Sequence, residues 1–147
     1  MMFYKKQNLS YLEVLELLQR AENSFTPPLS RNIPYSLEEY ALRLSENAFF
    51  IVCIDNGVVV GFTAFYINIE GHFAYIPQIW VSDEYQRQGI GSSMVEKLID
   101  NVPSDISSIR LEVRKLNHKA LSFYLKSDYK MIREEGGKCL MEKFINR

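Results

Sequence analysis

Residues 76–98 read IPQIWVSDEYQRQGIGSSMVEKL, an apolar strand, a glycine-bearing turn and a helix in succession. β-Branched and aromatic side chains crowd residues 75–81, as a strand favours. Ile90, Met94, Val95, Leu98 and Ile99 then recur at helical spacing. The joint is Gln86-Arg87-Gln88-Gly89-Ile90-Gly91. Glycine has no Cβ, so Gly89 and Gly91 let backbone N–H groups come close to a ligand, and a helix opening here adds unpaired donors with about half a positive charge. A phosphate or diphosphate suits such a joint.

Spacing argues against two phosphate-binding designs. A dinucleotide fingerprint needs a third glycine or alanine where Met94 stands. A Walker loop needs a Gly-Lys-Ser/Thr triplet, and none follows. Without more context the joint is a glycine turn between strand and helix, with or without a ligand.

Composition narrows the class. The chain has 147 residues, 47% of them hydrophobic, which is enough for one domain, 1–147. Such a domain buries about two-thirds of its unfolded surface without metals or disulfides. A net charge of −1, with basic residues scattered along the chain, argues against nucleic-acid binding. No window approaches the ~20 apolar residues of a membrane span, and the N-terminal residues lack the apolar run of a signal peptide. Cys53 and Cys139 sit in apolar, strand-like runs with no CxxC and no histidine at ligand spacing, so they read as reduced core thiols. His72 and His118 are isolated, and no metal site is expected. A soluble, cytoplasmic protein is the expectation.

Taken in order, residues 3–6 form a short first strand. Ser10 reads as an N-cap with Glu13 in capping-box position, and Leu12, Leu15, Leu18 and Ala21 as the inward stripe of a helix ending near Asn23. Three prolines in residues 26–34 stop a helix there. Ser36 with Glu39 repeats the cap, and Leu37, Tyr40, Ala41 and Leu44 face inward on a second helix. Residues 48–54, 58–69 and 72–81 make an antiparallel meander, turning at Asp55-Asn56-Gly57 and at Glu70-Gly71. Pro77 cannot donate to a ladder and marks a bulge or an unpaired edge. After the central helix, Ile109, Leu111 and Val113 alternate with Arg110, Glu112 and Arg114 in a half-buried strand. Asn117 opens a last helix with Ala120, Leu121, Tyr124 and Leu125 on one face, and residues 129–134 and 138–145 form a closing hairpin on Gly136-Gly137. The order is βααβββαβαββ.

Two stretches of this order resemble one family. Gln86, Gly89 and Gly91 fill the Q/R-x-x-G-x-G/A motif of the GNAT N-acetyltransferase superfamily. Residues 111–129, LEVRKLNHKALSFYLKSDY, resemble its pattern L-x-V-x-x-x-N-x-x-A-x-x-x-Y-x-x-x-G-F through Leu111, Val113, Asn117, Ala120 and Tyr124. Asp128 and Tyr129 depart from the final Gly-Phe. Asp tolerates a left-handed helix end, so the fold should survive the change.

The resemblance covers nearly the whole chain. It implies an α/β (α+β) acyl-CoA N-acyltransferase fold, with a central mixed, mostly antiparallel sheet and flanking helices. Its cosubstrate would be acetyl-CoA, with no metal. The diphosphate would lie on the turn of Gln86, Arg87, Gln88, Gly89, Ile90, Gly91 and Ser92, held more by backbone N–H groups than by side chains. The pantetheine arm would pair with Ile79, Trp80 and Val81 where Pro77 splays the strand, and Asn117 would contact the arm or a bridging water. Tyr124 would protonate the departing thiolate. Glu112 stands in a segment that resembles the one carrying the catalytic glutamate in ribosomal-protein alanine acetyltransferases, and Tyr75 occupies the position where histone acetyltransferases carry theirs. Read without the family, Tyr124 is a core ring, Asn117 an N-cap and Glu112 an exposed strand residue. Phe62, Phe65 and Tyr66 are expected to border the acceptor pocket together with the loop at residues 25–31.

The implied activity is N-acetyl transfer to a primary amine, on a small molecule or a peptide, by direct attack. A non-catalytic acyl-CoA sensor and an O-acetyltransferase acting on a sugar hydroxyl stay open as alternatives. No nucleic-acid or membrane partner is expected, and a homodimer is compatible with the sequence.

Overall fold

The computed structural model describes residues 1–25 and 27–146. Its first elements are β1 (Met2–Lys6), α1 (Tyr11–Ala21), α2 (Leu29–Asn32) and α3 (Leu37–Asn47). The meander β2 (Phe49–Asp55), β3 (Val58–Asn68) and β4 (Phe73–Val81) follows, then α4 (Ile90–Asp100), β5 (Ser108–Arg114), α5 (His118–Lys126), β6 (Lys130–Glu135) and β7 (Lys138–Phe144). The seven strands lie in the order β1-β2-β3-β4-β5-β7-β6. This is the expected succession with one addition. The four-residue helix α2 occupies the proline-rich connection, whose first residue, Thr26, lies outside the described residues. Pro28 precedes α2 and so breaks none of its hydrogen bonds. Among the described residues no helix is long and apolar enough to cross a membrane.

The chain divides into two compact units, Met1–Ala64 with Gln78–Asn101, and Phe65–Pro77 with Val102–Arg147.

In the first unit, local signals place the helices. Ser10 and Glu13 close the start of α1 reciprocally, and the Ser36 hydroxyl caps α3 by accepting from the Glu39 amide. The buried face of α1 is only in part the expected one, through Leu18 and Ala21. Val14, Leu17, Leu18 and Ala21 are buried, whereas Leu12 is 71% exposed. Steps of three residues drift back by about 60° each on a helix, so the run 12, 15, 18, 21 wanders around it. The set 14, 17, 18, 21 keeps to one stripe. Tyr40, Ala41 and Leu44 of α3 are buried as expected. The β2–β3 turn places Asn56 at φ 51° and Gly57 at φ 80°, the pair of positive angles that a tight hairpin needs. Phe50, Phe62 and Trp80 pack in series, with ring centroids 6.4 and 6.1 Å apart. Ile90, Met94 and Leu98 bury the inner face of α4.

In the second unit, β4 and β5 run parallel, in register from Phe73↔Ser108 to Ile76↔Leu111. The register stops there, and the next residue of β4 is Pro77, which has no N–H to give. β5 pairs antiparallel with β7 along its whole length, and β7 with β6, whose register shifts between Met131 and Arg133. Leu111 and Val113 point inward while Glu112 and Arg114 are exposed, as the alternation requires. Helix α5 ends with Asp128 at φ 71°, and the Tyr129 amide reaches back to the Tyr124 carbonyl at 3.0 Å. That is the six-to-one bond of a left-handed helix stop, made with Asp in place of glycine. Leu125, expected on the inner face, is 51% exposed.

Candidate active site

The candidate residues fall into two groups, one in each unit. In the first unit, β4 delivers the chain to the turn before α4. The 3-10 turn Asp83–Tyr85 is followed by Arg87 at φ 66° and by Gly89 at φ 76°. Two left-handed residues separated by one are the kind of backbone from which anion-binding nests of N–H groups are built. Gly89 is the N-cap of α4, and no side chain caps this helix. The first bond of the helix runs from the Ser93 amide to the Gly89 carbonyl at 3.0 Å. The amides of Ile90, Gly91 and Ser92 therefore have no acceptor within the helix.

Side chains around this turn are exposed, including Arg87, Gln88 and Ser92. A Cβ added at Gly89 would meet nothing within 4 Å, so packing does not demand glycine there, but the left-handed angle does. At Gly91 an added Cβ would touch only Ile79 Cδ1, at 3.8 Å, an ordinary contact. Nothing among the described residues demands glycine at Gly91. Gln86 turns back on its own loop, its Nε2 donating to the Val81 carbonyl at 3.2 Å and to Asp83 Oδ1 at 3.3 Å. Its side chain braces the turn. Trp80 is buried, with its indole N–H donating to Ser24 Oγ at 3.1 Å, while Ile79 and Val81 are half-buried.

In the second unit, the β4–β5 register sets Tyr75 opposite Arg110, two residues before Glu112. The Tyr75 hydroxyl donates to Glu112 Oε1 at 2.9 Å. Burial pushes the Tyr75 phenol well above its usual range, and the bond to Glu112 pushes it further. Tyr75 thus stays a protonated donor. Glu112 is exposed and has no other hydrogen-bond partner among the described residues. Tyr66 and Tyr75 both line an open cavity of about 590 Å³, with Phe73 and the β3–β4 turn. Phe62 and Phe65, expected at the acceptor pocket, are fully buried core residues.

Tyr124 lies half-buried on α5, edge-on to Phe123 and Tyr129, with centroids 5.3 and 5.2 Å away. Burial raises its pKa. Its hydroxyl has no hydrogen-bond partner among the described residues, which leaves the proton available to a ligand. Asn117 is the N-cap of α5, its Oδ1 accepting the Ala120 amide at 3.1 Å. The cap occupies the oxygen and leaves the amide N–H₂ group.

Two features escape the sequence. The Tyr75–Glu112 bond joins residues 37 positions apart through a parallel register that no local pattern encodes. Ser24 bonds Asp83 across 59 positions, and its only local signal is its place at the end of a helix. Among the described residues no group of three His, Cys, Asp or Glu side chains could hold a metal ion.

Comparison with known proteins identifies the family. The family model of the acetyltransferase (GNAT) family matches residues 12–129. An N-alpha-acetyltransferase of Saccharolobus solfataricus is 32% identical, the match covering 71% of this chain and 70% of that protein. The ribosomal protein bS18-alanine N-acetyltransferase of Escherichia coli K12 is 29% identical, over 62% of this chain and 61% of its own length. In fold, the chain matches the crystal structure of the PaiA N-acetyltransferase from Thermoplasma acidophilum in complex with coenzyme A. The TM-score is 0.73 at 21% identity, covering 97% of this chain and 99% of that one. The chain belongs to the GNAT acetyltransferase family and is an acyltransferase whose donor is acetyl-CoA.

Proposed function

We propose that this enzyme acetylates a primary amine, the α-amino group at the N-terminus of a peptide or protein, by direct attack on acetyl-CoA. The observation that carries the donor half is the uncapped start of α4 behind two left-handed residues. Its free N–H groups and the positive end of the helix suit a diphosphate. Gly91 leaves room for that anion, and the backbone of Ile79, Trp80 and Val81 offers hydrogen bonds to the pantetheine amides. Both curated relatives act on α-amines by name, which supports the acceptor half.

The second unit supplies the proton transfers. An ammonium must lose a proton before its nitrogen attacks the thioester carbonyl. Glu112 accepts that proton, held in one orientation by Tyr75. As the tetrahedral intermediate collapses, the C–S bond breaks and the thiolate takes a proton from Tyr124, whose phenolate recovers one from the surplus proton on the attacking nitrogen through water. A phenol whose pKa is raised by burial remains protonated at neutral pH and is ready for this step. The amide of Asn117 donates to the pantetheine arm or to a water beside it.

The test is a panel of peptides with free or blocked N-termini, incubated with acetyl-CoA and read by mass spectrometry. Acetylation of the free α-amine is the expected result. Modification confined to lysine side chains or to sugar hydroxyls would overturn the acceptor assignment.

A further inference from the structure

The segment that leads into the phosphate turn is tied by side chains to the 3-10 turn Glu22–Ser24 that follows α1. Trp80 Nε1–H donates to Ser24 Oγ at 3.1 Å, and the Ser24 hydroxyl donates to Asp83 Oδ1 at 2.9 Å. The same carboxylate oxygen accepts from Gln86 Nε2 at 3.3 Å, and that amide also donates to the Val81 carbonyl. The anchor of this relay is rigid. Trp80 is only 4% exposed, with the Arg20 guanidinium carbon 5.1 Å from the centre of its ring. A second tie holds the loop from the other side, where the Tyr85 hydroxyl donates to Asp55 Oδ2 at 2.7 Å.

We propose that Ser24 is a positioning residue for donor binding. It passes the fixed indole position to Asp83 and Gln86, and so presets the turn whose backbone amides receive the diphosphate. Ser24 itself touches no ligand. A loop held in its binding conformation loses little entropy when the ligand arrives, so the tie is felt as affinity. The inference rests on the reading of the α4 turn as the diphosphate site.

Charge and position make opposite forecasts at Asp83. A carboxylate near a diphosphate repels it, so by charge alone its removal tightens binding. If Asp83 serves to hold the turn, its removal weakens binding.

The experiment measures coenzyme A by calorimetry and pantetheine, which lacks the diphosphate, by NMR titration. Ser24→Ala and Asp83→Ala should each weaken coenzyme A by about tenfold, the loss of roughly one net hydrogen bond. Neither should change the pantetheine dissociation constant more than about twofold, and Ser24→Thr, which keeps the hydroxyl, should recover most of the loss. Asp83 is exposed, so its variant reports even if Ser24→Ala folds poorly. Unchanged coenzyme A affinity in Ser24→Ala, tighter binding in Asp83→Ala, or parallel losses for both ligands would overturn the proposal. Gly89→Val separates the two levels. If that variant binds coenzyme A normally, the diphosphate site itself is misassigned, whatever Ser24 does.

Discussion

Helices α1 and α4 are each eleven residues long, and they begin in opposite ways. At α1 the Ser10 hydroxyl accepts the Glu13 amide at 3.2 Å, and the Glu13 carboxylate accepts the Ser10 amide at 2.9 Å. Helix α3 is closed by Ser36 and α5 by Asn117. At α4 a glycine stands in the capping position and supplies no side chain. A capping side chain contributes about 1 kcal/mol to a helix by satisfying its free donors. Helix α4 does without that contribution, and in the proposal above its donors are kept for the diphosphate. On that reading the contrast separates helix starts that serve stability from one that serves binding.

Breaking the contrast at its sharpest point means filling the open start. Gly89→Val adds a β-branched side chain at a left-handed residue, displacing the turn, and should weaken coenzyme A by on the order of a hundredfold in a calorimetric titration. Retained affinity would show that the turn is not where the donor binds. Next in size, Tyr124→Phe keeps the ring and removes the proton. Turnover should fall about tenfold to a hundredfold while coenzyme A affinity holds, and equal turnover would exclude Tyr124 as the acid.

A titration addresses the second unit. Burial is the leading cause that raises the phenols of Tyr75, Tyr124 and Tyr129. Unfolded tyrosines ionise near pH ~10, so below that pH both states are neutral and the full stability is present. Above it the unfolded chain releases protons that the folded chain keeps, and stability falls as pH rises. Of nine tyrosines, these three should yield phenolate absorbance only as the protein unfolds. A single step for all nine with the fold intact would contradict the burial described for them.

Two smaller effects sharpen the comparison. Gly91→Ala lies inside α4 where space allows a methyl, so it should stabilise the protein by about 0.5–1 kcal/mol while weakening coenzyme A several-fold. Thermal unfolding and calorimetry on one sample would read these opposite signs. Ser36→Ala should cost about 1 kcal/mol in stability and leave coenzyme A binding unchanged. A capped helix start that altered donor affinity would blur the distinction.

What is legible in the sequence is what is local. The caps at Ser10, Ser36 and Asn117, the turn at Asn56-Gly57 and the left-handed stop at Asp128 depend on neighbours within a few residues, and each is found where the residue types place it. The glycine joint reads the same way. The inner face of α1 is less legible, because two overlapping apolar stripes pass through its sequence and only tertiary packing selects between them. The short helix α2 is hidden by prolines that in fact flank it, Pro27 and Pro28 before and Pro34 after. The bonds from Tyr75 to Glu112 and from Ser24 to Asp83 are not legible at all, since they depend on strand register and on segments meeting across long separations in sequence. Sequence marks Glu112 and Tyr124 through motif alone. Their geometry adds a fixed carboxylate and an unengaged phenol, which the roles of base and acid call for.

The most direct test follows the backbone amides by NMR while coenzyme A is added, with pantetheine as the parallel titration. Large shifts are expected at the amides of residues 87–92 with coenzyme A, small ones with pantetheine, and none at the starts of α1 and α3. Shifts of equal size with both ligands, or coenzyme A binding that leaves residues 87–92 undisturbed, would contradict a diphosphate site at the start of α4.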